Sequence, residues 1–351
     1  MELITHAALG AIAGSAALRL YKRHRKPAAH AAKLTHAQAM WVGALAGLFP
    51  DIDFLTYLFS PLHYHAYWHG TYTHSLLLAP LWAIVLVIAL RWLWVVLSVR
   101  APRYFPAQQH RFWPLYWVAL AGILSHLALD VITAWSVGLW LPVSHERVSL
   151  GLLFLVDPIF SASILLGFWA VYQRWHSYFV TGCLLFSLAW LGFAYMQKQN
   201  ALHLAEQTHS NATQHIAAWP QPFSVFHWKL ISADDYGFWA ADVRTVVTSP
   251  LYWPVASVRT TVAEFKPPDN LQWRYYATAP TEEAREAWQH PIFEPVRDFM
   301  TYPIYVQQDE LGCQWFTDLL FVIPQQTSPF QYGLCADGED SPRVVRKPLL
   351  E

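Results

Sequence analysis

The chain has 351 residues, of which 55% are hydrophobic and 13% charged, and its mean hydropathy is +0.22. The charged share is well below the roughly 25% of soluble domains, so a purely soluble protein is excluded. A net charge of -1 without a visible basic face gives no footing for nucleic acid. Aromatic residues make up 16%, with 19 Trp. Many Trp and Tyr stand at the ends of apolar runs, as an interfacial belt requires. The composition describes an integral membrane protein with a soluble part.

Apolar segments run over 3–20, 39–59, 75–98, 113–141, 152–172 and 178–197. At about 20 residues per crossing they predict a helical bundle of about six transmembrane segments. The first is short and carries His6, and reads as either spanning or re-entrant. Its positive charges follow the apolar stretch instead of preceding it, so it is expected to be retained and not cleaved as a signal peptide. Residues 21–38 carry Lys22, Arg23, Arg25, Lys26 and Lys33; residues 99–112 carry Arg100, Arg103 and Arg111; the next turn carries Arg174. The opposite loops, 60–74 and 142–151, carry only Arg147. The positive-inside rule then puts the basic loops in the cytoplasm. Both termini, and everything after about residue 198, are expected outside the inner membrane.

The C-terminal part, 198–351, is rich in Pro, Trp and Tyr. Runs such as FSVFHWKL, GFWAADVRTV, SVRTTVAEF, YPIYVQ and WFTDLLFVI have strand character and are separated by turn residues, as in a small β-rich domain. Residues 282–289 (EEAREAWQ) predict a short helix. Cys313 and Cys335, 22 residues apart, read either as a disulfide suited to an oxidising exterior or as two free thiols.

Within or beside the apolar segments stand eight residues of metal-ligand type: His6, Asp51, Asp53, His69, His74, His126, Asp130 and Asp157. An ionisable side chain at membrane depth costs several kcal/mol, so a group of them calls for a function. By the predicted topology all eight fall in the outer half of the bilayer or just above it. His126 and Asp130, at i and i+4, project from one helix face, with Thr133 near it. Pro50 ends or kinks the second segment and frees Asp51 and Asp53 to turn inward. Thr73 or Ser75 is available as a cap or as a donor behind the ligands.

Each piece also has a structural reading. Asp157 before Pro158 is a natural helix N-cap. Asp51 and Asp53 suit a solvated turn, and His6 beside Thr5 suits a helix start. Taken together, imidazole and carboxylate without nearby thiolate suit zinc, manganese or iron(II). Eight candidates exceed the four ligands of one tetrahedral zinc, which leaves one ion with supporting residues or two ions bridged by carboxylates. Either arrangement makes a bound water acidic enough to attack near neutral pH.

The order of Thr5-His6, Pro50-Asp51-Ile52-Asp53, His69 to His74-Ser75, Ser125-His126 to Asp130 with Thr133, and Asp157-Pro158 resembles a known family. It is that of LexA-regulated or LexA-binding inner-membrane metal-dependent hydrolases, and the resemblance covers about residues 1–200. Members often carry Arg directly after the first His of the H-x4-H element, where this chain has Gly70. The resemblance implies a membrane-embedded hydrolase. Its depth suits a lipid or lipid-linked phosphoester, with membrane lipids and a small-molecule or lipid substrate as partners. Asp53 is the expected general base, with Asp51 and Asp130 as the other catalytic candidates. There is no H-E-x-x-H or G-x-S-x-G motif. The alternatives are a metal- or proton-coupled transporter and a regulatory membrane protein with a structural metal.

Overall fold

Glycine lets the first two helices touch backbone to backbone. In α1 (Leu3–His24) and α2 (His36–Leu48), a Cβ on Gly43 would lie 2.3 Å from the Gly10 carbonyl oxygen. One on Gly47 would lie 2.5 Å from that of His6. Both helices carry a G-x3-G pattern, Gly10 with Gly14 and Gly43 with Gly47, which permits such close crossings in membranes. The computed structural model describes residues 2–24, 34–101, 103, 112–209, 216–222, 224–246, 256–335 and 342–347. Arg25, Lys26, Lys33 and Arg111, used above for orientation, lie outside the described residues, as does Phe223 of FSVFHWKL.

Thr35 starts α2 with a capping box: its hydroxyl accepts from Gln38 N at 3.2 Å, and Gln38 Oε1 accepts from Thr35 N at 2.9 Å. Pro50 has no N–H to give the α-ladder, and the chain tightens into a 3-10 run over Phe49–Leu58. The end or kink expected at Pro50 is therefore present. After α3 (Pro61–His63) come the turn Tyr72–His74, α4 (Ala79–Arg100), α5 (Phe112–Ile132), α6 (Pro158–Tyr172) and α7 (Ser177–Thr208). Helix α5 packs on the glycine crossing, where Gly122 faces the Ala46 side chain and the Gly43 carbonyl. Around it Leu18, Leu86, Leu115, Val118, Ile123 and Leu127 form an apolar core.

Among the described residues five helical runs are long and apolar enough to cross a membrane: Leu3–His24, His36–Leu58, Ala79–Arg100, Phe112–Ile132 and Ser177–Thr208. The sixth apolar helix, Pro158–Tyr172, has only 15 residues, about 22 Å against a hydrocarbon core of roughly 30 Å. Five of the six expected segments thus reach spanning length, and the sixth is a shorter apolar helix. Apolar composition over 113–141 and 152–172 concealed two helix ends. Helix α5 stops at Ile132, where the Thr133 hydroxyl donates to the Asp130 carbonyl at 2.9 Å. Helix α6 starts only at Pro158, with Asp157 as its cap.

The chain divides into two compact units. The first holds Met1–Phe59, Trp68–Gly151 and Leu155–Leu191; the second holds Ser60–Tyr67, Leu152–Phe154 and Gly192–Glu351. In the second unit β1 (Ile216–Pro220), β2 (His227–Asp234), β3 (Gly237–Arg244) and β4 (Arg274–Ala277) form an antiparallel sheet in sequence order. The strands β5 (Pro303–Gln308), β6 (Gln314–Asp318), β7 (Tyr332–Cys335) and β8 (Arg343–Arg346) form another. Alternate residues of β2 bury on opposite faces. Trp228 and Leu230 meet Ala201 and Ala205 of α7, while Ile231 meets Ile304 and Leu319. Cys313 and Cys335 are joined in a disulfide.

Two expected strands differ. SVRTTVAEF, with a β-branched composition, contributes instead to α8 (Ala256–Ala263), an instance of packing overriding propensity. WFTDLLFVI leaves β6 at Asp318, whose carboxylate accepts from Leu320 N at 2.9 Å and starts a 3-10 turn. EEAREAWQ forms α9 (Glu282–Gln289), capped by Thr281; the six-residue α10 (Glu294–Phe299) follows.

Gly43→Leu places a side chain against the Gly10 backbone. It is expected to lower the melting temperature of the detergent-solubilised protein by the equivalent of about 1–3 kcal/mol. Gly182→Leu, where a Cβ meets nothing within 4 Å, should leave it unchanged. Equal effects of the two substitutions would refute the crossing.

Candidate metal centre

The crossing sets His6 beside α2, and the same contact explains how α5 joins. His126, one turn after Gly122, donates from Nδ1 to the Gly47 carbonyl at 2.7 Å. A carbonyl only accepts, so a proton is on Nδ1, and in the neutral ring this leaves the lone pair on Nε2. That Nε2 lies 3.1 Å from His74 Nε2 and 2.9 Å from Asp130 Oδ2, and His74 Nε2 lies 3.3 Å from the same carboxylate oxygen. Asp51 Oδ1 stands slightly farther out, 3.4 Å from His74 Nε2 and 3.6 Å from His126 Nε2. His6 approaches from the other side, its Nε2 3.3 Å from Asp130 Oδ1 and its ring stacked on His126 at 3.9 Å.

These separations suit neighbouring ligands on one ion. Bonds of about 2.0–2.1 Å to a tetrahedral zinc put adjacent ligand atoms roughly 3.3–3.4 Å apart. Three groups satisfy the distances: His6, His126 and Asp130; Asp51, His74 and His126; Asp53, His69 and His74. The third uses the other nitrogen of His74, Nδ1, which lies 3.5 Å from Asp53 Oδ2. Asp53 also accepts from the Thr73 hydroxyl at 3.1 Å and faces His69 Nδ1 at 3.4 Å. A neutral imidazole with its lone pair on Nε2 has its proton on Nδ1, and the Thr73 hydroxyl, 3.0 Å away and itself donating to Asp53, is placed to accept it. Thr73, held by Asp53, thereby orients His74 for the central group.

Charge makes the same demand. Asp51, Asp53 and Asp130 converge, each with histidine nitrogens within 4.0 Å. Burial alone would push His74 down, but hydrogen bonds donated to Asp130 and Asp51 outweigh it and raise the imidazole to about 9. The donor set fits a divalent cation.

Exposure is uneven around the group. The side chains of His126 and His74 are fully enclosed, whereas Asp51 is 18% and His69 22% exposed. Access is therefore from the side of Asp51 and His69.

Seven of the eight sequence candidates belong to these groups. Asp157 stands apart: its carboxylate accepts from Phe160 N at 2.8 Å and from Trp190 Nε1 at 3.1 Å, which is the N-cap role. His65 packs against Phe299 and Phe330 in the second unit, and His36 bridges Ser15 and the Val171 carbonyl. Of the supporting hydroxyls, Thr73 reaches Asp53, whereas Ser75 donates to the Leu141 carbonyl at 2.5 Å. The Gly47 carbonyl and the glycine crossing were not read from the sequence, although the two G-x3-G patterns carried the signal.

The family model described as YdjM inner membrane protein matches residues 1–201, which include every residue of the three groups. No curated protein and no solved structure matches the chain.

Metal analysis of detergent-purified protein should find one or two equivalents of divalent metal. His126→Ala and Asp130→Ala should lose it, while Asp157→Asn should keep the metal and cost only about 1 kcal/mol of stability. A wild-type protein free of stoichiometric metal would sink the assignment.

Proposed function

We propose that this chain, which belongs to the YdjM inner membrane protein family, is a membrane-embedded metal-dependent hydrolase. Its substrate class is a lipid or lipid-linked phosphoester, reached from the outer face. The observation that carries the reading is the convergence of His74 Nε2, His126 Nε2 and Asp130 Oδ2 within 2.9–3.3 Å of one another beside the more open Asp51. Three ligands with a fourth position left for water or substrate is the catalytic pattern; a structural zinc is closed by four. Zinc is the leading ion, with manganese and iron as alternatives.

In this reading His74, His126 and Asp130 hold the ion. When bound, the ion supplies a water acidic enough to attack near neutral pH and a positive charge for the developing phosphoryl oxygens. Asp51, farther out and partly exposed, accepts the proton of the attacking water. That role moves from Asp53, whose oxygens face the Thr73 hydroxyl, His69 and His74 Nδ1. His6 steadies the outer oxygen of Asp130.

The outer-face orientation is supported by the one-sided distribution of basic loops and by the Cys313–Cys335 disulfide, which forms in oxidising compartments. Proton-coupled transport needs a polar trail through the inner half. There His36 is occupied by Ser15 and Val171 and belongs to none of the carboxylate groups, which supports hydrolysis instead.

Metal-loaded protein in nanodiscs, assayed on para-nitrophenyl phosphate and phosphatidic acid, should release phosphate and stop on chelation. Asp51→Asn should retain the metal but lose about 10²–10⁴-fold in turnover, as expected for a general base. Metal-loaded wild-type protein that hydrolyses neither ester would replace this reading with a structural metal.

A further inference from the structure

The loop 133–151 is stitched to the segment that carries His69 and His74. Val137 and Val148 form a two-residue bridge, Gly138 N donates to the Gly70 carbonyl at 2.7 Å, and Leu76 N donates to the Leu139 carbonyl at 2.9 Å. This stitching delivers Arg147. Its Nη2 donates to the His69 carbonyl at 2.8 Å and to that of Ser136 at 3.3 Å, and Nε donates to Ser136 at 3.4 Å. Gly70 makes the space. It has φ +72°, and a Cβ there would lie 3.0 Å from Nη2.

The guanidinium is unusual in what it lacks. Among the described residues no carboxylate lies within 4.0 Å of it, although three aspartates converge at the adjoining site. Partial burial works against its charge, so a cation is kept here without an anion. Its two bonded nitrogens fix its plane through backbone carbonyls, while Nη1 has no hydrogen-bond partner among the described residues and is not sealed from solvent. It is anchored on His69, one of the two residues that mark the accessible side of the metal group.

The geometry points to Arg147 as the specificity-determining residue of this site, donating from Nη1 to a phosphate oxygen of the substrate. A guanidinium suits this task because its rigid fork keeps two nitrogens on the loop while a third presents donors to an oxyanion. The inference rests on the metal-centre reading and narrows its substrate class to esters that present an anionic phosphate on the His69 side. A neutral carboxylic ester would leave the guanidinium unanswered.

The test uses full-length, metal-loaded protein in nanodiscs, with metal content measured for every variant. Calorimetric titration with inorganic phosphate, and native mass spectrometry with phosphatidic acid against phosphatidylcholine, provide the two arms. Wild-type protein should bind phosphate. Arg147→Gln should keep its metal and weaken phosphate about tenfold or more, as loss of a charged hydrogen bond implies. Arg147→Lys, which retains charge without the fork, should fall between them. Binding of inorganic phosphate alone assigns a soluble phosphoester; preference for phosphatidic acid as well assigns a lipid headgroup. Unchanged phosphate affinity in metal-loaded Arg147→Gln overturns the inference, as does a metal-loaded wild type that binds no phosphate. Loss of metal from both variants makes Arg147 a loop support and also overturns it. Absence of metal from the wild type is a different failure, that of the metal centre itself.

Discussion

Aspartate and histidine side chains are short, so they converge on one ion only where the backbones that carry them have already come close. The crossing of α1 and α2 through Gly10, Gly43 and Gly47 is that condition, and the rest of the first unit depends on it. It sets the His6 backbone against Gly47, it admits α5 through Gly122, and it aims the Gly47 carbonyl at His126 Nδ1. Between apolar helices in lipid there is little hydrophobic drive to associate, and small residues supply the close packing that replaces it. One carbonyl at the crossing therefore does two things: it belongs to the residue that permits the approach, and it fixes the tautomer of the central histidine.

Electrostatics explains why such a core persists. Three carboxylates brought together at the end of a bundle repel one another, and each loses water. Histidines on every side relieve this only in part, because a neutral imidazole offers either a lone pair or a proton to each neighbour. A divalent ion would resolve the conflict at once, with the Nε2 lone pairs and the carboxylate oxygens available to hold it. The Nδ1 protons would then go outward, from His126 to the Gly47 carbonyl and from His74 to the Thr73 hydroxyl that donates to Asp53. This division of inward lone pairs and outward protons is what outer partners of metal-bound histidines accomplish.

The candidate ligands were legible because ionisable residues in apolar segments are costly and hence conspicuous: His126 with Asp130 by helical spacing, Asp51 and Asp53 by Pro50, His74 by its place between spans. Asp157 was conspicuous for the same reason, and only the structure separates it, since cap and ligand look alike until the Phe160 amide and the Trp190 indole are seen. The break after Ile132 lay hidden inside a continuously apolar stretch, because hydropathy records burial and not hydrogen bonding. Residues 256–263 misled in the opposite way, their β-branched side chains fitting a helix once tertiary packing required one. The sequence put Arg147 in an outer loop but not beside His69, because that position depends on a pairing of two loops about 70 residues apart.

His6 bears on how many ions the centre is built for. Its Nε2 faces Asp130 Oδ1, while the other oxygen of that carboxylate faces His74 and His126. Two ions bridged by Asp130 would use the His6 Nε2 lone pair and leave the proton on Nδ1. That nitrogen is buried with no hydrogen-bond partner, and an unsatisfied buried donor is expensive. With one ion, His6 Nε2 instead donates its proton to Asp130 Oδ1, and the bare Nδ1 is an unsatisfied acceptor with no proton stranded on it. The single-ion arrangement then has a carboxylate ligand oriented by a histidine, the mirror image of His74 oriented by Asp53 through Thr73. One ion held by His74, His126 and Asp130, with Asp51 at the open edge, would strand no proton in this way, whereas two would.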